Sequence, residues 1–125
     1  MTFDRSEYLQ LARELAGQAV SPAKEEAKLR SAVSRAYYAA FCKARNYLRD
    51  VEGHSIPPGP ESHQYVRVEF ENSPDKLRRM VGWELGQLRI RRNRVDYDDS
   101  VTGLSSLVEI SLRAAQDVIS TISTL

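Results

Sequence analysis

Apolar residues recur along this chain at helical spacing, and the gaps between the stripes carry helix-stop and helix-start chemistry. Asp4 followed by Glu7 has the spacing of a capping box. The helix it opens runs to about Gln18, with Tyr8, Leu11, Ala12 and Leu15 on one stripe and Gly17 at its end. Ser21-Pro22 reads as an N-cap and first-turn proline, and Glu25 and Glu26 suit the positive end of a helix dipole. From Pro22 to about Val51, Leu29, Val33, Ala36, Ala40, Ala44, Tyr47 and Val51 step around one face, widened by Tyr37, Phe41 and Leu48. So wide a stripe predicts the central helix of a bundle.

Residues 52–62 (EGHSIPPGPES) predict a loop, because Pro57, Pro58, Gly59 and Pro60 remove donors and restrict the backbone. A short helix from about His63 to Glu71 follows, with Tyr65 or Val66 and Phe70 turned inward. Ser73-Pro74-Asp75 repeats the cap-then-proline signature and opens a long helix with the stripe Leu77, Val81, Leu85, Leu88, Arg92, Val95. Gly82 and Gly86 on it would permit close approach of another helix. A turn from Asp98 to Gly103 leads into a last helix with Leu104, Leu107, Val108, Leu112, Ala115, Val118, Ile119 and Ile122 as its apolar positions. With no strand alternation and no repeat, the expectation is an all-α, four- to five-helix up-and-down bundle forming a single domain over residues 1–125.

Composition narrows the function classes. The balance of 18 Lys+Arg against 17 Asp+Glu leaves a net charge of +1, so any nucleic-acid role must rest on a local patch rather than a global field. The one cysteine, Cys42, excludes an internal disulfide and a multi-cysteine metal site and reads as a packed thiol in a reducing compartment. Asp4 and Arg5 argue against a signal peptide, and no uncharged run approaches the roughly 20 residues that span a bilayer. A cytoplasmic location is expected, with no metal, no cofactor and no membrane.

Arg89, Arg91, Arg92 and Arg94 place four arginines in six residues, followed by Asp96, Asp98 and Asp99. Arg92 lies on the apolar stripe, where a guanidinium is costly to bury unless paired or facing a cleft. Asp96 at i+4 is a built-in partner, although such a pair stabilises a helix by only about 0.2–0.5 kcal/mol. The bland alternative is a solvated helix end with Arg92 salt-bridged at the bundle edge.

Three segments carry a resemblance. Ser34-Arg-Ala-Tyr-Tyr-Ala-Ala-Phe41 on the second helix, His63 with Val66 and Phe70 on the short helix, and Arg92-Asn-Arg-Val-Asp-Tyr97 together resemble compact HEPN-domain proteins. The matches follow the family's order and span about Glu25 to Leu125. The resemblance implies a four- to five-helix bundle, usually a homodimer, often the toxin half of a toxin–antitoxin pair with a minimal nucleotidyltransferase. It further implies metal-independent endoribonuclease activity in a cleft shared by two copies, built on an arginine, a polar residue and a histidine four to six positions on.

This chain has Arg92 and Asn93 but carries Asp96 and Tyr97 where that histidine belongs. Cutting RNA without metal needs a base for the 2′-hydroxyl, charge stabilisation at phosphorus and an acid for the leaving oxygen. Arg92 suits the middle role. Asp96 is at best a weak base and a poor acid. His63 is the available substitute, against a plain reading as a helix-start cap or core histidine, and His54 falls in a loop with no family counterpart. Tyr97 would orient a phosphate or accept an adenylyl group, or else pack at the bundle end. Ser34, Arg35 and Tyr38 fall on a side of the second helix partly distinct from its main stripe and are expected to line the same cleft as Arg92, and Arg35 and Tyr38 are candidates, with Asn93 and Arg89, for binding nucleotide or RNA. Tyr37 and Phe41 read as core and Trp83 as an interface anchor. Two other readings stand beside the ribonuclease: a non-catalytic subunit binding nucleotide or substrate for the nucleotidyltransferase, and a helical adaptor that docks a partner on the arginine cluster.

Overall fold

The computed structural model describes residues 3–18 and 23–125, and every structured segment among them is helical. The elements are α1 (Glu7–Leu15), α2 (Glu25–Asp50), α3 (Glu61–Glu71), α4 (Lys76–Tyr97) and α5 (Leu104–Ile122). The all-α bundle expected from the periodicity is what forms. Helix α2 is its axis: α5 and α4 pack along it, α3 lies against α4, and α1 touches only the start of α2.

The main core is built from Tyr37, Phe41, Ala44 and Leu48 of α2, Val66 and Phe70 of α3, Val81, Leu85 and Leu88 of α4, and Ala115, Val118 and Ile122 of α5. A smaller cluster of Phe3, Leu11, Ala23 and Ala27 sits under α1. Cys42 packs at the edge of the main core as a free thiol. No helix among the described residues is long and apolar enough to cross a membrane.

Several local expectations are corrected. The Asp4–Glu7 capping box does not form: the Asp4 carboxylate accepts the Ser6 N–H at 2.9 Å, and Glu7 faces Lys24 at 3.4 Å. Helix α1 ends at Leu15, before a left-handed Gly17, and Ala12 and Leu15 are exposed because α1 has only one neighbour. Ser21-Pro22 lies outside the described residues, and α2 begins at Glu25. Helix α3 starts two residues earlier than expected, at Glu61. Asp75, not Ser73, caps α4, its Oδ1 accepting the N–H groups of Leu77 and Arg78 at 2.8 and 3.4 Å. Val51, Leu77 and Leu112 are exposed at helix edges, and buried Ala114 and Ser111 take the inward face of α5 instead.

Gly82 does what its position suggested. Helix α3 ends against it so closely that an added Cβ would sit 2.6 Å from the Glu71 backbone nitrogen. At Gly86 the nearest atom is Cδ of the flexible Arg67 side chain, at 3.3 Å. Gly82→Ala is therefore expected to lower stability by roughly 1–3 kcal/mol through overpacking. Gly86→Ala is expected to raise it by up to about 1 kcal/mol through helix propensity. Urea unfolding midpoints of the two variants test the contrast, and equal shifts would contradict it.

Candidate functional site

The last turns of α4 are placed by an arginine that the sequence reading passed over. Arg30 on α2 is fully buried. Its Nη1 donates to the carbonyls of Val95 (2.8 Å) and Asp98 (2.7 Å), its Nη2 to that of Asp99 (3.2 Å), and its Nε to Glu26 at 3.0 Å. These carbonyls belong to a helix terminus and the turn beyond it, where helical partners run out. The Phe3 ring covers the guanidinium, 4.4 Å from Cζ to the ring centroid, and the Phe3 N–H donates to the Asp99 carbonyl. The signal for Arg30 was available, since it precedes Val33 and Tyr37 at i+3 and i+7. A cation on that stripe, like Arg92, is costly to bury unless paired.

With the end of α4 fixed, Arg92 projects toward the middle of α2, its side chain 16% exposed. Nη2 donates to the Tyr38 hydroxyl at 2.8 Å and Nη1 to Asn93 Oδ1 at 3.3 Å. The cation lies 5.1 Å from the Tyr38 ring centroid. Nε is 2.8 Å from Asp96 Oδ2, close enough for an ion pair, although its N–H is not aimed at that oxygen. Asp96 Oδ2 also accepts from Ser34 Oγ at 3.3 Å. Arg92 is thus held from both sides, unlike a solvated helix end.

Around Arg92 opens a groove of about 790 Å³, walled by Tyr38, His63, Arg89, Asn93, Arg94 and Tyr97. Arg89 and Arg94 make no ion pair among the described residues, and Nε of Arg89 is buried without a hydrogen-bond partner among them. Asp98 is the one acid on the groove wall. The Trp83 indole is 58% exposed, on a neighbouring depression that shares Arg89 and Asn93 with the groove.

His63 enters the groove from the first turn of α3. Its ring stacks on Phe41, 4.2 Å between centroids, and Nδ1 shares a 2.5 Å hydrogen bond with the Tyr37 hydroxyl. Burial pushes the Tyr37 phenol up to about 12, so it stays protonated and holds the imidazole in place. Burial first, and then the nearby cations Arg89, Arg92 and Arg45, lower the His63 pKa from its ordinary value of 6.5. His63 is a neutral imidazole at pH 7. His54 is elsewhere, bonded through Nδ1 to the Tyr65 hydroxyl at 2.8 Å beside Glu52.

The fold therefore brings Arg92, His63, Tyr38, Asn93, Arg89 and Tyr97 to one groove. Asp96 and Arg35 line a separate pocket on the other side of Tyr38. No family model, characterised protein or solved structure matches the chain.

Because Arg30 satisfies three carbonyls, of which only that of Asp99 has a second donor in the Phe3 N–H, Arg30→Ala is expected to cost on the order of 3 kcal/mol. It should also loosen residues 95–99, read as faster amide hydrogen exchange there than in α5. Unchanged exchange in that segment would remove Arg30 as its anchor.

Proposed function

We propose that this domain binds RNA in the Arg89–Arg92–Arg94 groove and cleaves it without metal, as the HEPN-like motifs imply. The placement of His63 beside Arg92 carries this reading. The residue type missing from the α4 motif is supplied from α3, neutral at physiological pH and oriented through Nδ1 by Tyr37. In the proposed step His63 takes the 2′-hydroxyl proton on Nε2 while Nδ1–H donates to Tyr37. The 2′-oxygen forms the new bond to phosphorus, the bond from phosphorus to the 5′-oxygen breaks, and water protonates the departing oxygen. Arg92 stabilises charge at phosphorus, and Arg89, Arg94 and Asn93 position the flanking backbone.

The resemblance further implies a toxin-like protein paired with a minimal nucleotidyltransferase and working as a homodimer. Trp83, Ile90 and Tyr97 support the second copy. They are 58%, 56% and 69% exposed and lie seven residues apart along α4, a seam bordering the groove. A two-fold axis at Ile90 would set Trp83 of one copy against Tyr97 of the other and join the two grooves. One observation favours the non-catalytic alternative: Asp96 anchors Arg92 rather than facing the groove, so α4 contributes no proton-transfer group of its own.

Three outcomes are expected. RNA incubated with EDTA is cut by the wild type, about 10²–10³-fold more slowly by Arg92→Ala, and about 10²–10⁴-fold more slowly by His63→Ala. If wild type leaves RNA intact, the non-catalytic reading takes its place. Because the His63 pKa is lowered from the ordinary 6.5, its base form is lost only as pH falls below that value. The rate should rise with pH through a midpoint below 6.5 and be flat above it; a midpoint above that value excludes His63 as base. Light scattering should give twice the 14.2 kDa chain mass, falling to the monomer for Trp83→Glu.

A further inference from the structure

Beyond Tyr38, α1, α2 and the end of α4 line the second pocket, about 450 Å³ in volume. Its walls are Tyr8, Ser31, Ser34, Arg35, Tyr38 and Asp96, so every lining side chain is polar. This is a different chemistry from the cationic groove: four hydroxyls, one carboxylate and one guanidinium. The two spaces are neighbours, because Tyr38 walls both and Arg92, in the groove, pairs with Asp96, in the pocket.

Three of these groups have bonding capacity left. The Tyr8 hydroxyl is shielded from solvent and has no hydrogen-bond partner among the described residues. Burial, and then the Asp96 charge, raise its pKa, so it keeps its proton and remains a donor. Its ring is held edge-on against Phe3, 5.1 Å between centroids, and Phe3 itself lies on the Arg30 clamp. A buried phenol that no protein group satisfies is the kind of donor a ligand oxygen completes. Asp96 spends Oδ2 on Arg92 and, at a long 3.3 Å, on Ser34, while Oδ1 accepts no bond among the described residues. Arg35 is exposed at the mouth and makes no ion pair among them.

A carboxylate acceptor beside a phenol donor suits a hydroxyl that both donates and accepts, and the guanidinium at the mouth suits a phosphate. A ribonucleotide in a chain presents that combination, a 2′-hydroxyl on its sugar with phosphates on either side. Deoxyribose lacks the hydroxyl and would leave Asp96 and Tyr8 unmet. We propose that this pocket holds the ribose of the nucleotide next to the phosphate on Arg92, reading its 2′-hydroxyl through Asp96 and Tyr8. The proposal rests on the phosphate-binding reading of the groove.

The test is fluorescence anisotropy with labelled RNA and DNA of one short sequence, in a His63→Ala background so that cleavage is slow on the timescale of binding. RNA is expected to bind about tenfold more tightly than DNA, the effect of a hydrogen bond to a charged group. Tyr8→Phe, which removes the donor to the sugar, and Ser34→Ala, which removes the hydroxyl that steadies the Asp96 carboxylate, should each narrow that ratio severalfold by weakening RNA alone. Melting temperatures equal to that of the parent exclude a folding effect, and Ser34→Ala serves as the independent arm should Tyr8→Phe be destabilised. Equal affinities for RNA and DNA in the parent, or variants that weaken both alike, overturn the ribose assignment. Arg92→Ala separates the two readings. If it weakens RNA and DNA together, the groove reading stands whatever the pocket does. If it changes neither while the Tyr8-dependent RNA preference persists, the groove reading falls, and with it the placing of that ribose next to a phosphate on Arg92. Failure of the parent to bind either oligonucleotide overturns both.

Discussion

A guanidinium with no access to solvent organises the working end of this bundle. Burying the Arg30 charge is costly, and the cost is offset only because four acceptors and an aromatic face converge on it. Three of those acceptors are backbone carbonyls of residues 95, 98 and 99, so the interaction fixes main chain rather than one mobile side chain. It also complements the negative end of the α4 dipole. The N-terminal segment joins the same knot through Phe3. Three pieces of chain distant in sequence are thereby held in one register, and the directions in which Arg92, Asp96 and Tyr97 leave α4 follow from it.

Arg92 gains its orientation from a second set of contacts. Tyr38 holds its far nitrogen and presents a ring to its charge, while Asp96 holds the near one. An arginine so fixed would lose little further freedom on pairing with an anion, which is the physical advantage of a preorganised fork. Asp96 pays for this arrangement with its availability, since a carboxylate bound to Arg92 and Ser34 is an anchor and not a free base. The chemical division of the site follows. Cations and an imidazole lie on one side of Tyr38, and hydroxyls with a carboxylate lie on the other.

The imidazole arrives by a separate route. Helix α3 is pulled onto α4 at Gly82, where the absence of a side chain lets Glu71 backbone into van der Waals contact. The loop before α3 is tied down as Arg78 pairs with Glu52 at 2.6 Å and lies over Phe70, and as His54 meets Tyr65. His63 at the opposite end of α3 then lands against Phe41 and Tyr37. Its partial burial and then the cations around it lower its pKa, so the groove holds permanent positive charge and an unprotonated imidazole together.

The sequence by itself determined the helices, the proline-rich loop ahead of α3 apart from its last two residues, and most of the core, because 3.6-residue periodicity and the positions of proline and glycine act locally. It also singled out Arg92, His63, Tyr38 and Asn93 as residues of interest. It misjudged Leu77, Val51 and Leu112, since an apolar residue at the edge of a stripe is buried only if a neighbouring helix reaches that far. It passed over Arg30 for the converse reason: whether a charge on a stripe is tolerated depends on carbonyls 65 and more residues away. Only the tertiary structure decided that His63 shares a groove with Arg92 while Asp96, one turn from Arg92 on the same helix, faces a different pocket. Spacing along a helix sets angle and rise, but which side of Tyr38 a side chain occupies is decided by how α2, α3 and α4 cross.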